Sequence, residues 1–382
     1  MIHMTTFSSQ DHPRGHASNP GRFSEKLGSA PEASLGARGL SWPEDFNSRH
    51  RAIRDSAGVA EHAAVHGDCN DKYVALGSGL LSAETVADLA DDEDEGVRGA
   101  VVHEPNTGHI HHAKLATDTS DRVRSRVASY TTDAGILAVL VADPSQNVRR
   151  SLTENTAGAD LHAKLATDSS GWVRSGVASY AADADLLGRL AADESESVRQ
   201  NVAHNPATSA ETLADLVGQT HLCTWFAANN PNISGESLDK ASRSEDGDTR
   251  EAVARHRNAS PSTLDRLARD LKESVRVTVA HNTSTSPDTL SHLAKSRVLN
   301  IAAGVARNPS ATGATLAELA DGIYLGHVAS NPSAPVDVLE RLAERCGDLV
   351  ANNPSAPRSL VEKIAAGGNQ WAADAAARRL AQ

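Results

Sequence analysis

HAKLATDTSDRVRSRVASY, residues His112–Tyr130, returns fifty residues later as HAKLATDSSGWVRSGVASY, residues His162–Tyr180, with fifteen of nineteen positions identical. Halfway between the copies, LVADPSQNVRRSL at Leu140–Leu152 is the same pattern in a diverged form, so the underlying period is 25 residues. A fixed period of this size is the mark of stacked repeats, in which each unit contacts only its neighbours.

From about Tyr73 onward the array can be written as a short helix V-R-x-x-V-A, a turn x-N-P, a longer helix ending L-x-x-L-A-x-D, and a loop, with departures at Leu222–Pro231 and in the last units. Anchored on the Asn slot, the units fall at Glu104, Tyr130, Asn155, Tyr180, Asn205, Asn230, His256, Asn282, Asn308, Asn331 and Asn353. An incomplete unit, Tyr73–Asp92, precedes them, and a half unit at Trp371–Leu380 closes the array. Val173 and Val177 lie four apart and Leu213 and Leu216 three apart, so each helix has one apolar stripe. Helices this short are marginal alone, and only stacking hides both stripes. The expectation is an all-α solenoid of about 11–12 two-helix repeats.

In the turn, Pro removes an N–H and pushes the preceding residue out of the helical region, while the Asn side chain bonds nearby backbone. Residues 1–46, rich in Ser, Gly, Pro and His, are read as a disordered leader. Residues 47–72 are read as a helical cap in which Asn47 caps a helix through Arg49–His66, and residues 73–382 as the array.

Composition agrees with thin helical layers: aromatic residues make up only 3%. Cys69, Cys223 and Cys346 are far apart and show no CxxC spacing, so neither a disulfide framework nor a zinc site is signalled. No apolar run is long enough for a membrane span and Met1–Gln10 is too polar for a signal peptide. A soluble cytoplasmic protein is expected. The net charge of −12 is uneven, with 12 Lys/Arg against 25 Asp/Glu over residues 61–220 and 18 against 18 from 221 on. That imbalance disfavours a nucleic-acid groove in the first half and suits a basic partner.

One polar pair recurs with the repeat. Asp92, Asp118, Asp143, Asp168, Asp193 and Asp270 each precede by six residues Arg98, Arg124, Arg149, Arg174, Arg199 and Arg276. Where the Arg slot is lost, at Thr224, Ala302, Leu325 and Gly347, the Asp slot is lost too; Arg250, facing Ser244, is the exception, for which Asp246 or Asp248 is the expected substitute. The pairing implies ion pairs, either across the loop or with the next unit's partner, as a ladder along the stack. A phosphate-binding arginine stripe is the competing reading, weakened by a carboxylate for nearly every guanidinium.

Candidate interaction residues lie around the turn. The residue before the Asn slot varies freely, as His103, Ser129, Glu154, Ser179, His204, Asn229, Arg255, His281, Arg307, Ser330 and Asn352, and a variable exposed column on a fixed frame is where a solenoid places recognition. Tyr130 and Tyr180 fill the Asn slot itself, and Trp172 stands where the earlier copy has Arg122; all three are candidate anchors. Trp225 and Trp371 are expected in core or cap positions. His109, His111 and His112, near His103 and Glu104, resemble metal-ligand material, but His112 matches His162 in a repeat without such a cluster, and exposed polar residues are the plainer reading. The acidic run Asp91–Glu95 lacks the spacing of a calcium loop. No nucleotide-binding, nucleophile-elbow or metalloprotease motif occurs, so no catalytic, cofactor or metal residue is assigned.

The motifs V-R-x-x-V-A-x-N-P and L-x-x-L-A-x-D, fullest at Val198–Pro206 and Leu264–Asp270, resemble the leucine-rich repeat variant family, a HEAT-like helical repeat family, over roughly Tyr73–Leu380. The resemblance implies alternating α and short 3-10-like helices in a right-handed superhelix without strands. One member of that family carries an N-terminal cysteine cluster for an iron–sulfur centre; residues 1–46 here contain no cysteine, so that cofactor does not carry over. The reading that follows is a non-enzymatic scaffold for a protein or peptide partner. The alternative is nucleic-acid binding through the Arg255–Arg276 region, distinguishable by its salt dependence.

Overall fold

A computed structural model describes residues 45–106, 108–155 and 159–381. The expected leader, residues 1–46, falls almost wholly outside them. The chain divides into two compact units, one reaching Thr131 and the other beginning at Thr132. Among the described residues both are all-α repeat stacks, with a single isolated bridge, Val217 to Thr220, and no strand.

In the first unit, Phe46–Asp55 and Ala57–His66 pack against Cys69–Ser78. The entry cap is Asp45, whose side chain accepts from the Ser48 N–H at 2.9 Å, and not Asn47, which lies inside the helix. Cys69–Ser78 already behaves as a repeat helix: it packs on Glu95–Val101, which packs on Asp121–Tyr130.

In the second unit the V-R-x-x-V-A elements, here called Val helices, follow one another from Gln146–Leu152 through Gly171–Tyr180, Glu196–His204, His221–Asn229, Gly247–Arg255, Glu273–His281 and Leu299–Arg307 to Leu325–Ser330, each against the next. The Leu helices between them, such as Ala210–Leu216 and Pro261–Leu267, are seven or eight residues long. From Gly171–Tyr180 to Leu299–Arg307 the length order is therefore the reverse of the one expected, because these Val helices, nine or ten residues long, run on to their turn. Both kinds are α-helical; among the described residues 3-10 geometry is confined to Gly108–His111. Near the end the shortened loop lets a Leu and a Val helix run together as Val336–Asn352, bent at Cys346, before Arg358–Ala365 and Gln370–Leu380 close the stack.

Val198, Val202 and Ala203, like Val275, Val279 and Ala280, are wholly buried, as are Leu213 and Leu216. Each buried Val or Leu side chain contributes about 1.5–3 kcal/mol, which is how helices of two turns persist. Leu helices start at hydroxyl caps. Ser209, Ser234, Ser260, Ser286 and Thr312 each accept from the N–H three residues on, and Pro261 and Pro287 occupy the first turn where no N–H is needed.

Candidate interaction face

The two ends of the Val helices carry different polar frames. At the C-terminal ends the asparagines are buried and form a ladder. Asn205 Nδ2 donates to the carbonyls of Ala178 and Ala181 at 2.8 and 2.9 Å, and its Oδ1 accepts from the Ala207 N–H. Asn230, Asn282, Asn308, Asn331 and Asn353 repeat that geometry on the repeat before each. The carboxamide therefore satisfies backbone across the interface as well as within its own turn. His256 stands in the slot as an imidazole equivalent. Its Nε2 faces the Asn230 carbonyl at 3.1 Å and its Nδ1 accepts from the Asn258 N–H at 3.1 Å. Burial, followed by the Arg257 charge, lowers its pKa against the raising effect of that carbonyl, so the neutral ring that mimics an amide is favoured. At the far end Arg379 donates to the carbonyls of Ala351 and Asn353 and closes the ladder.

At the N-terminal ends runs the second frame. Arg174 Nη1 donates to the carbonyl of Asp168, its own repeat, at 2.8 Å, while Nε and Nη2 fork onto Asp193 of the next at 2.7 and 2.9 Å. Arg98 with Asp118, Arg149 with Asp168 and Arg250 with Asp270 do the same, and Lys72 reaches Asp92 at 2.6 Å. The carboxylates then cap the loop, as Asp193 does by accepting from the Ser195 N–H. Carboxylate partners thus lie one repeat further on, and the Asp six residues back supplies its carbonyl. This explains Arg250: Ser244 gives the carbonyl and Asp270 the forked carboxylate, while Asp246 adds only the effect of its nearby charge. Arg199 and Arg276 keep the carbonyl bond to Asp193 and Asp270, but Gln219 and Ser296 stand where the next carboxylate would be. Burial alone would raise the carboxyl pKa of Asp168, Asp193 and Asp270; the forked guanidiniums and loop N–H groups outweigh it and hold all three below their ordinary value.

Outward from these frames lies the variable column. His204, Asn229, Arg255, His281 and Arg307 are each the last residue of their Val helix and are exposed. Tyr180 is also a last helical residue because its helix runs one further than those ending before Asn; buried Ala181 then takes the cap position. Tyr130 and Thr131 are the same case in the first unit. The tyrosines are therefore not in the buried slot that the repeat alignment gave them. Tyr130 is 59% exposed and meets His103 edge-on at 4.2 Å.

Trp172 and Tyr180, 50% and 51% exposed, share Arg150 between them, its guanidinium carbon 5.8 Å from one ring and 5.6 Å from the other. Gly176 makes this approach possible: a Cβ there would lie 2.5 Å from Thr153 Oγ1 and 2.7 Å from the guanidinium carbon. Arg150 also donates to Thr153 Oγ1 at 2.6 Å and to Glu154 at 3.2 Å. Sequence reasoning named the rings but missed Arg150, whose signal was a glycine where the sister repeat has Arg126.

Trp225 is not in the core. It is half-buried and packs edge-on against Phe226, which does the same against His204. Trp371 is 84% exposed on the closing helix. His112 is buried, with Nε2 3.3 Å from the Val102 carbonyl, and His162 meets the Thr153 carbonyl at 2.9 Å, so this repeated histidine is a frame residue. Among the described residues no group of three or more His, Cys, Asp or Glu could hold a metal ion, and no helix is long and apolar enough to cross a membrane. In the Arg255–Arg276 region, Arg266 pairs with Asp239, Arg269 with Asp265, and Lys272 with Asp248 and Glu251.

These observations define an all-α helical repeat protein. No family model matches the sequence, and no curated protein does. Among solved structures the chain is similar to a leucine-rich repeat variant with a novel repetitive structural motif, at 18% identity and a TM-score of 0.46 over 56% of this chain and 86% of that one. It is also similar to Kap95p in a structure concerning RanGDP, at 11% identity and a TM-score of 0.40 over 88% and 58%, and to computationally designed armadillo repeat proteins for modular peptide recognition, at 12% identity and a TM-score of 0.10 over 84% and 97%.

Proposed function

We propose that this chain is a non-enzymatic docking scaffold that binds a protein or peptide on the exposed face of its Val helices. The observation that carries the reading is the Trp172–Arg150–Tyr180 stack: two half-exposed rings braced by a guanidinium that is itself tied to Thr153 and Glu154. Rings already fixed in place lose little entropy on association, and such residues dominate interface energies. Polar groups of the frame bond to one another, which leaves the outer residues as the variable part. Three free cysteines suit a reducing compartment such as the cytoplasm.

A basic partner facing the acidic stretch is less favoured than the charge count suggests, since Asp92, Asp118, Asp168 and Asp193 are committed to the ladder. Nucleic-acid binding through Arg255–Arg276 loses most of its cations to the pairs just described. Selection of a random displayed peptide library on the wild-type protein and on a Trp172→Ala/Tyr180→Ala variant tests the reading. Enrichment should fall at least tenfold in the variant; undiminished enrichment would remove these rings as anchors, and no enrichment on the wild type would remove the docking reading.

A further inference from the structure

Between the Val helices His221–Asn229 and Gly247–Arg255 lies a cavity of about 410 Å³. Trp225, Phe226 and Leu222 supply its apolar walls, and Asp248, Glu251 and Arg255 its rim. The walls are peculiar to this repeat. Aligned Val helices carry Gln200 and Asn201 on one side and Glu251 and Ala252 on the other where this one carries Trp225 and Phe226. Edge-on packing of Phe226 against both His204 and Trp225 holds them, at centroid distances of 5.5 and 5.0 Å. The volume exceeds that of one aromatic side chain and falls in the range of small-ligand pockets.

Rim charges decide the class of occupant. Both carboxylates are already taken: Asp248 by Lys272 at 2.5 Å, and Glu251 by Ser274, Arg255 and Lys272 at 2.6, 2.8 and 3.3 Å. The Arg255 guanidinium is exposed and uses one nitrogen for Glu251. Beyond it, His281 and Arg307 end the next two Val helices, both exposed and neither facing a carboxylate: His281 Nδ1 meets the Val277 carbonyl, and Arg307 meets His327 Nε2 at 3.1 Å. A row of basic side chains thus starts at the cavity's edge, of which Arg255 already shares one nitrogen with Glu251 and His281, its Nδ1 held by the Val277 carbonyl, offers an outward donor at Nε2 in its protonated form. Packed helices stand about 8–10 Å apart, and three residues of extended chain cover about 10 Å. A strand crossing the Val helices therefore meets one basic side chain in every three residues.

We propose, resting on the docking reading above, that this cavity receives an aromatic side chain of an extended acidic peptide whose carboxylates, spaced about three residues apart, face Arg255, His281 and Arg307. A single-stranded nucleic acid fits less well, because Glu251 and Asp248 flank the opening and the donors come one per repeat instead of one per phosphate. The peptide must be acidic, and its aromatic residue must lie at one end of the acidic run.

Fluorescence anisotropy with labelled synthetic peptides tests this on the full chain. The probes are a peptide with Glu at every third position and Trp at either end, its Lys counterpart, its Trp→Ala counterpart, and an oligothymidylate of equal charge. Expected is at least tenfold tighter binding of the acidic Trp peptide than of the other three, lost at least tenfold in Arg255→Glu/Arg307→Glu. Both substituted positions are exposed, and an unchanged thermal melt shows that the fold is kept. Equal or better binding of the Lys peptide, the Ala peptide or the oligothymidylate overturns the proposal. So does undiminished binding of the acidic Trp peptide by the double variant. Displayed peptides that survive the Arg255→Glu/Arg307→Glu change but depend on Trp172 and Tyr180 would defeat this proposal and leave the docking reading standing; a library that yields nothing defeats both.

Discussion

From Asp143 to Arg199 the repeats of the second unit are tied at the N-terminal ends of their Val helices by the forks of Arg149 and Arg174, and Asn205 adds a tie at the C-terminal end. From Gln219 to Ser244 only the asparagine end is continuous. There Thr224 replaces the arginine and bonds within its own loop, to the Gly218 N–H and the Thr220 carbonyl, and His221 meets Asp246 at 2.9 Å in place of a fork. The stack continues through that stretch regardless, and the cavity with Trp225 and Phe226 sits in it. Either tie can thus hold neighbouring repeats in this unit: the Asn230 bonds do so without a fork, and the Arg149 fork does so where Ala181 takes the cap position. Forks can be given up where the outer face takes on large side chains and the asparagine bonds persist.

That contrast is broken most severely at the asparagine end. Asn282→Ala leaves the carbonyls of Ala254 and His256 and the N–H of Ser284 without their partner; at about 1–3 kcal/mol per unsatisfied buried group, the cost is about 4 kcal/mol. Urea unfolding followed by circular dichroism should show it, and a loss under about 1 kcal/mol would mean the asparagines are not the governing contact. Arg174→Ala removes a fork whose two side chains are 10% and 9% exposed and should cost less, about 2 kcal/mol, with peptide binding unchanged. Its pH dependence is a second check. Asp193 ionises more easily folded than unfolded. Its contribution is therefore fully present above the unfolded carboxyl pKa of about 4 and disappears as pH falls through the lower folded value. The gap between wild type and Arg174→Ala should narrow below pH about 4; a gap independent of acid would show that the guanidinium acts through packing alone.

How much of this was legible depended on whether a residue's partner shares its repeat. The helical stack followed from Val and Leu spacing because burial of a stripe is a local property of the pattern, as the wholly buried Val198, Val202, Leu213 and Leu216 show. The joint loss of Asp and Arg slots pointed to a pair, yet the sequence distance of six residues concealed that the carboxylate comes from the next unit; Arg250 beside Ser244 was the sign of that offset. Tyr130 and Tyr180 were misplaced because an extra residue of helix leaves the spacing from the preceding Val unchanged while turning the ring outward. Arg150 and the cavity at Trp225 depend on which side chains lie across an interface. No single repeat encodes that.

The finest test rebuilds a fork where it is missing. Arg276 holds the Asp270 carbonyl as every forked arginine holds its own, and Ser296 lies twenty residues on, the same separation as from Arg250 to Asp270. Ser296 Oγ already accepts from the Val298 N–H at 3.2 Å, the bond that Asp270 makes with the Lys272 N–H at 2.8 Å. Ser296→Asp therefore keeps the loop bond and offers Arg276 a carboxylate. Because the loop is half-buried and the guanidinium already placed, the gain should be about 1 kcal/mol, read as a higher urea midpoint that disappears in the Arg276→Ala background. A gain that survives removal of Arg276 would come from the loop alone, and a loss of stability would show that the interface between these two repeats closes in a way that excludes a fork, which would make the absence of the Asp slot there a requirement of the packing and not a dispensable reinforcement.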